Sequence, residues 1–246
     1  MKIVDAHHHY WDPVANYHPW LRDEPMIPFR YGDYSSIRKP FMPAEYDAAA
    51  NGWDIVATVT MEGEWDPTDP TGEAHWMQAL ADEIGRPAAH VAQAWLDRED
   101  LAEVLRTYVK LPIVKSVRHK PRANSAPGGP PGGMMDPEFR EGFRHLADHG
   151  LMFDLQTPWW HLDEAIDMAG LAQDVPIILN HAGLPSDRSD TALTAWEAAL
   201  NRFAVLPNAY IKISGIGLPD RPWSIEDNRE IIQTCISAFG PKRAMF

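Results

Sequence analysis

The sequence predicts an α/β fold of eight parallel strands, a (β/α)8 TIM barrel. Short β-rich runs recur down the chain, stretches of helical period separate them, and successive runs lie roughly 25–50 residues apart, the spacing that βα units need. A doubly wound open sheet would use the same alternation, but no glycine-rich phosphate loop follows the first run. The 246 residues fit one large α/β domain, so a single domain over 1–246 is expected.

The elements follow in order. The first run, 3–6, is cut off by His7-His8-His9, and the second, 55–60, is announced by Gly52. The third, 89–96, comes after the helix stop Gly85-Arg86-Pro87, and the fourth, 114–117, after Leu111-Pro112. Gly150 precedes the fifth at 151–155, Pro176 the sixth at 177–179, and Pro207-Asn208 the seventh at 210–213. An eighth begins at Ala244-Met245-Phe246, where the sequence stops, so a distorted barrel with strand eight and its helix incomplete is expected. Between the second and third runs, Ala74, Met77, Leu80, Ala81 and Ile84 recur at helical spacing. Asp136-Pro137 reads as an N-cap followed by an N1 proline, opening a helix that ends at Gly150. Ser224 opens the helix that carries Cys235, with Glu226 and Asp227 in its first turn. Residues 12–43 and 118–136 have no period. They read as long loops C-terminal to strands, on the side where barrels keep their active sites.

A net charge of −13 repels phosphate backbones, which argues against nucleic acid as a partner. A lone cysteine, Cys235, excludes an internal disulfide framework and fits a reducing compartment. No signal-peptide pattern opens the sequence and nowhere do 18 apolar residues run together. A cytoplasmic protein without a membrane partner is the expectation.

Three histidines carry the chemistry. In a strand, residues i and i+2 share a face, so His7 and His9 would both point into the barrel mouth while His8 turns away. His181 follows the sixth run at the same end, which would complete a convergent set.

The chain resembles the amidohydrolase superfamily, specifically its amidohydrolase-related (amidohydrolase 2) lactonase branch, which holds 2-pyrone-4,6-dicarboxylate and sugar-acid lactonases. The resemblance is carried by 4–12, Val117-Arg118-His119, 150–155, Asn180-His181-Ala182-Gly183-Leu184-Pro185, 211–215 and 239–246, in the family's order. It implies a distorted TIM barrel, hydrolysis at a carbonyl carbon, and His7, His9 and His181 as the active-site histidines. Metal-binding members add a histidine after strand five and an aspartate after strand eight. Neither stands here, since strand five continues into Gln156-Thr157 and the sequence ends at Phe246. A C-terminal truncation of a longer protein is therefore expected, and with it the absence of the aspartate that acts as general base in the lactonase branch. Three histidines suffice as protein ligands for zinc or a similar divalent ion. Without a metal, they would polarise a lactone carbonyl by hydrogen bonds.

In a chain this acidic, the run Lys115-Ser116-Val117-Arg118-His119-Lys120-Pro121-Arg122 is conspicuous. Guanidinium groups recognise carboxylates bidentately, so Arg118 and His119 read as an anion subsite, and the resemblance places arginines and a histidine there. Lys212 alternates with Ile211 and Ile213. A buried lysine needs a partner or a ligand charge, making it a second candidate anion contact. Glu62 and Glu64 could reach the mouth, although a polar loop explains them equally. Cys235 reads as core, and no G-x-S-x-G elbow appears. The expected activity is hydrolysis of a lactone of a small carboxylic or sugar acid, with a small anionic molecule as partner. The alternatives are a metal-dependent decarboxylase on the same barrel, or a ligand-binding chain without activity.

Overall fold

The computed structural model describes residues 1–29, 32–219 and 221–246. Its strands are β1 (Lys2–His8), β2 (Asp54–Met61), β3 (Ala89–Gln93), β4 (Val114–His119), β5 (Met152–Leu155), β6 (Ile177–Leu179), β7 (Ala209–Lys212) and β8 (Ala244–Met245). They form one eight-stranded sheet in chain order, with parallel pairing, which is the (β/α)8 TIM-barrel class. The helices are α1 (Pro19–Arg22), α2 (Pro43–Ala49), α3 (Gly72–Ile84), α4 (Leu101–Tyr108), α5 (Pro137–His149), α6 (Leu162–Ala169), α7 (Asp190–Phe203) and α8 (Ile225–Phe239). Among the described residues, no helix is long and apolar enough to cross a membrane.

Contacts divide the chain into two compact units. The first comprises 1–93, 107–115 and 219–221; the second comprises 94–106, 116–218 and 222–246.

In the first unit, β1 pairs with β2 and β2 with β3. Between the pairs Asp5↔Thr58 and His8↔Thr60, β1 advances three residues while β2 advances two, so β1 carries a bulge at its C-terminal end. The loop expected over 12–43 holds α1 and a 3₁₀ turn at Ser35–Ile37, and its residues 30 and 31 lie outside the described ones. This loop is pinned to the end of β2 through Gly63. The Gly63 carbonyl accepts from Trp20 Nε1 at 2.8 Å and meets His18 Nδ1 at 3.0 Å, while the Gly63 N–H donates to Glu73 Oε1 at 2.8 Å. A Cβ here would stand 3.3 Å from Glu73 Oε1 and 3.4 Å from His18 Cε1, so a hydrogen is the side chain that fits without displacement.

In the second unit, β4 to β8 pair in register around a core that includes Val117, Phe153, Leu155, Ile177, Leu179 and Ile211, all buried. α5 and α7 cover apolar residues of their own, Phe139, Phe143 and Leu146 on one and Leu193, Trp196, Leu200 and Phe203 on the other. Gly150 stops α5 with φ +63, as its glycine predicts. Asp136 occupies the N-cap position, but its side chain does not cap the helix. The carboxylate turns instead to Arg122 at 3.1 Å, because the guanidinium is the stronger partner. Ser224 does cap α8, accepting from the Asp227 N–H at 3.2 Å. Cys235 is fully buried in α8, and burial pushes its thiol up to about 12, which fits core rather than nucleophile.

Candidate active site

β1 delivers the first two histidines. The strand ends at His8, and His9 lies one residue beyond it, yet the His7 and His9 rings stand 5.4 Å apart between centroids. The bulge is braced from behind. Asp5 Oδ1 accepts the His7 backbone N–H at 3.0 Å, and Asp5 Oδ2 accepts from the Tyr46 hydroxyl of α2 at 2.8 Å. Burial, followed by the bond to Asp5, pushes the Tyr46 phenol pKa up, so the hydroxyl stays protonated and donates. His8 turns the other way and packs between Tyr10 and Tyr46, at 4.7 and 4.4 Å.

Two imidazoles sharing one tetrahedral ion at about 2.0–2.1 Å per bond would place their centroids about 5 Å apart, so the pair fits as two ligands. Among the described residues, no group of three or more His, Cys, Asp or Glu could hold a metal ion.

His181 is presented by an unusual backbone. β6 ends at Leu179, Asn180 follows, and residues 181–184 turn left-handed, with φ of 56 at His181, 53 at Ala182, 69 at Gly183 and 58 at Leu184. The turn closes through Gly183 N–H to Asn180 O at 3.1 Å and Leu184 N–H to His181 O at 2.8 Å. Three of its residues carry a Cβ, and each costs about 1–2 kcal/mol in this conformation. Other contacts must therefore hold it. His181 Nδ1 meets Ser214 Oγ at 3.0 Å, and the buried Trp196 indole N–H donates to Ala182 O at 2.7 Å.

β4, β5, β6 and β7 together build a buried polar network that the sequence reading did not find. Asp154 of β5 accepts from Ser116 Oγ at 2.7 Å and from Asn180 Nδ2 at 2.8 Å, and it pairs with Lys212 Nζ at 2.9 Å. All four residues are buried. Among the described residues, the buried Asn180 Oδ1 and Thr157 Oγ1 meet no hydrogen-bond partner, which leaves them available to a ligand or water. The signal was present in the sequence: Asp154 interrupts Met152-Phe153-Asp154-Leu155 as Lys212 interrupts Ile211-Lys212-Ile213, and two opposite charges in apolar strands imply each other.

Strand alternation separates the expected anion subsite. Arg118 lies two residues from Ser116 and so shares its face. The residue is buried, and its Nη1 donates to Gln156 Oε1 at 3.3 Å. His119 falls on the opposite face, stacked on Phe139 of α5 at 4.9 Å, with Nδ1 accepting the Leu96 N–H at 3.1 Å. Lys212 is buried as expected, and the charge opposite it is Asp154. Glu62 is buried and accepts the Glu64 N–H at 2.7 Å, so its carboxylate shapes the loop after β2. The loop over 118–136 is tied to the start of α6: Asn124 N–H donates to His161 Nε2 at 3.1 Å, Gly132 N–H to Glu164 Oε1 at 2.9 Å, and His161 Nδ1 lies 2.7 Å from the same oxygen.

The amidohydrolase family model matches residues 4–246. The chain belongs to the amidohydrolase family and is an enzyme of that type. Uncharacterized protein y4mH of Sinorhizobium fredii is 34% identical over 100% of this chain and 84% of its own length. L-fucono-1,5-lactonase of Burkholderia multivorans is 24% identical over 99% of this chain and 80% of its own. Two crystal structures share the fold. One is an amidohydrolase from Burkholderia multivorans with bound zinc, TM-score 0.77 at 24% identity, covering 99% of this chain and 82% of that one. The other is 2,6-dihydroxybenzoate decarboxylase from Rhizobium, TM-score 0.60 at 14% identity, covering 99% and 86%.

Proposed function

We propose that this chain hydrolyses a lactone, a cyclic ester of a small carboxylic or sugar acid. The observation that carries this reading is the presentation of His181: a strained turn fixes its backbone and Ser214 engages Nδ1, which makes Nε2 the nitrogen through which the ring would act. Such strain persists where a group must be held in place before the substrate arrives. The fucono-lactonase relative supports a sugar-acid lactone within that class.

In this reading, His7, His9 and His181 are the catalytic histidines, and His7 and His9 are the pair whose spacing would suit a divalent ion such as zinc. When bound, the ion would polarise the lactone carbonyl and lower the pKa of water. Without an ion, imidazole N–H groups stabilise the oxyanion that forms when water adds to the acyl carbon; collapse breaks the ring C–O bond, and the departing alkoxide takes up the proton the water gave, leaving the open hydroxy acid. Arg118 holds the substrate's carboxylate through charge-assisted hydrogen bonds. Lys212 and His119 complete the proposed set by support: Lys212 from its pair with Asp154, and His119 from the α5 face of β4, where it steadies the strand that carries Arg118.

The experiment is proton release at constant pH over a panel of sugar-acid and dicarboxylate lactones, with carbon dioxide measured in parallel on aromatic carboxylic acids. One acid equivalent per lactone supports the proposal. Carbon dioxide release without lactone opening assigns the decarboxylase alternative, and calorimetric binding of dicarboxylates without turnover assigns a ligand-binding chain.

A further inference from the structure

We propose that Trp196 is a positioning residue for His181, acting through the carbonyl of Ala182. The inference rests on the reading above only in assigning His181 a part in the reaction; the mechanical claim stands on the turn itself.

Residues 181–184 adopt a conformation that three of them disfavour, and α7 supplies a contact specific to it. The Trp196 indole is almost wholly buried, and its Nε1–H reaches Ala182 O at 2.7 Å. Ala182 is itself fully buried, so its carbonyl and the indole N–H satisfy each other where water would otherwise be required. If the turn relaxed to right-handed dihedrals, the Ala182 carbonyl would swing away and leave a buried N–H unpaired. Trp196 therefore penalises the relaxed turn as well as filling the core. Ser214 fixes the imidazole at one end of the same segment and Trp196 fixes the backbone one residue on, so the direction of the ring is set from two sides. Phenylalanine would fill much of the space and supply no donor, which separates the two roles of Trp196.

The test is hydrogen exchange at the Leu184 amide, whose bond to His181 O closes the turn. Trp196→Phe is expected to lower its protection about fivefold to tenfold relative to amides in the middle of α7, in line with the loss of one hydrogen bond. In lactone hydrolysis, kcat should fall by a similar factor with KM little changed. Adding Ala182→Gly should restore both protection and kcat, because glycine enters left-handed dihedrals without penalty. The glycine cannot refill the core, so a merely structural Trp196 predicts no rescue. Replacement of Trp196 by 3-benzothienylalanine, which keeps the ring volume and lacks the N–H, gives the same comparison if Trp196→Phe does not fold. Unchanged Leu184 protection in these variants, or failure of Ala182→Gly to rescue, overturns the proposal. If no variant and no wild-type protein opens a lactone, the functional reading fails while the exchange result still decides the role of Trp196.

Discussion

Lys212 Nζ lies 2.9 Å from Asp154 Oδ1, and the two side chains are 3% and 1% exposed. Each charge is tolerable in the second unit only because the other is present, with Ser116 and Asn180 satisfying the remaining capacity of the carboxylate. Asp154→Asn strands the ammonium and is expected to cost about 3–5 kcal/mol in urea denaturation. The double variant Asp154→Asn/Lys212→Met should recover a large part of that loss. A double variant no better than Asp154→Asn alone would show that the ion pair is not what the single substitution breaks.

Much of the fold was legible because apolar runs and their punctuation are local signals. Gly150 and Ser224 end and begin the helices their residue types predict, and β6 is found at 177–179 as read. Asp136 shows where local reading stops: a cap is a competition, and Arg122, fourteen residues earlier, wins it. His119 shows a related limit. A charge run groups residues by sequence, whereas the pleat deals them to alternate faces, so Arg118 stays with Ser116 while His119 stacks on Phe139. The left-handed turn at 181–184 was illegible because only Gly183 in it advertises positive φ, and the contact that holds it comes from α7.

The brace behind β1 gives a second test. Tyr46→Phe removes the hydroxyl that Asp5 accepts and leaves the aromatic packing, so it should cost about 1.5–3 kcal/mol, the range for a hydrogen bond to a charged group. If Asp5 aims the bulge, broadening or doubling of the His7 and His9 ring resonances should accompany the loss. Sharp, unshifted histidine signals would confine Tyr46 to packing.

His8 provides a pH test. Its ring is buried, and burial lowers its pKa from the ordinary 6.5. The folded state then binds fewer protons than the unfolded state below about pH 6.5, so this contribution to stability is complete above that value and is lost as pH falls towards the folded pKa. His8→Phe should leave stability near neutral pH within about 1 kcal/mol and flatten the decline of Tm between pH 6.5 and 5. A Tm profile parallel to that of the wild type would assign the acid sensitivity elsewhere, with the buried His18, whose pKa burial also lowers, next in line.

Arg118→Met should raise KM for anionic lactones by a factor corresponding to about 1.5–3 kcal/mol, with kcat less affected, because the carboxylate contact is equally strong before and during reaction. A neutral lactone should show no such change. Equal losses on charged and neutral substrates would make Arg118 a structural residue of β4.

The most direct test of the central claim is the rate of lactone opening in His181→Asn beside wild type and His8→Phe, three proteins that differ at ring-bearing positions on different elements. The account predicts one acid equivalent per lactone in the wild type, a fall of at least about 100-fold in kcat for His181→Asn, and an unchanged rate for His8→Phe. Wild-type lactone opening that His181→Asn leaves intact would contradict it.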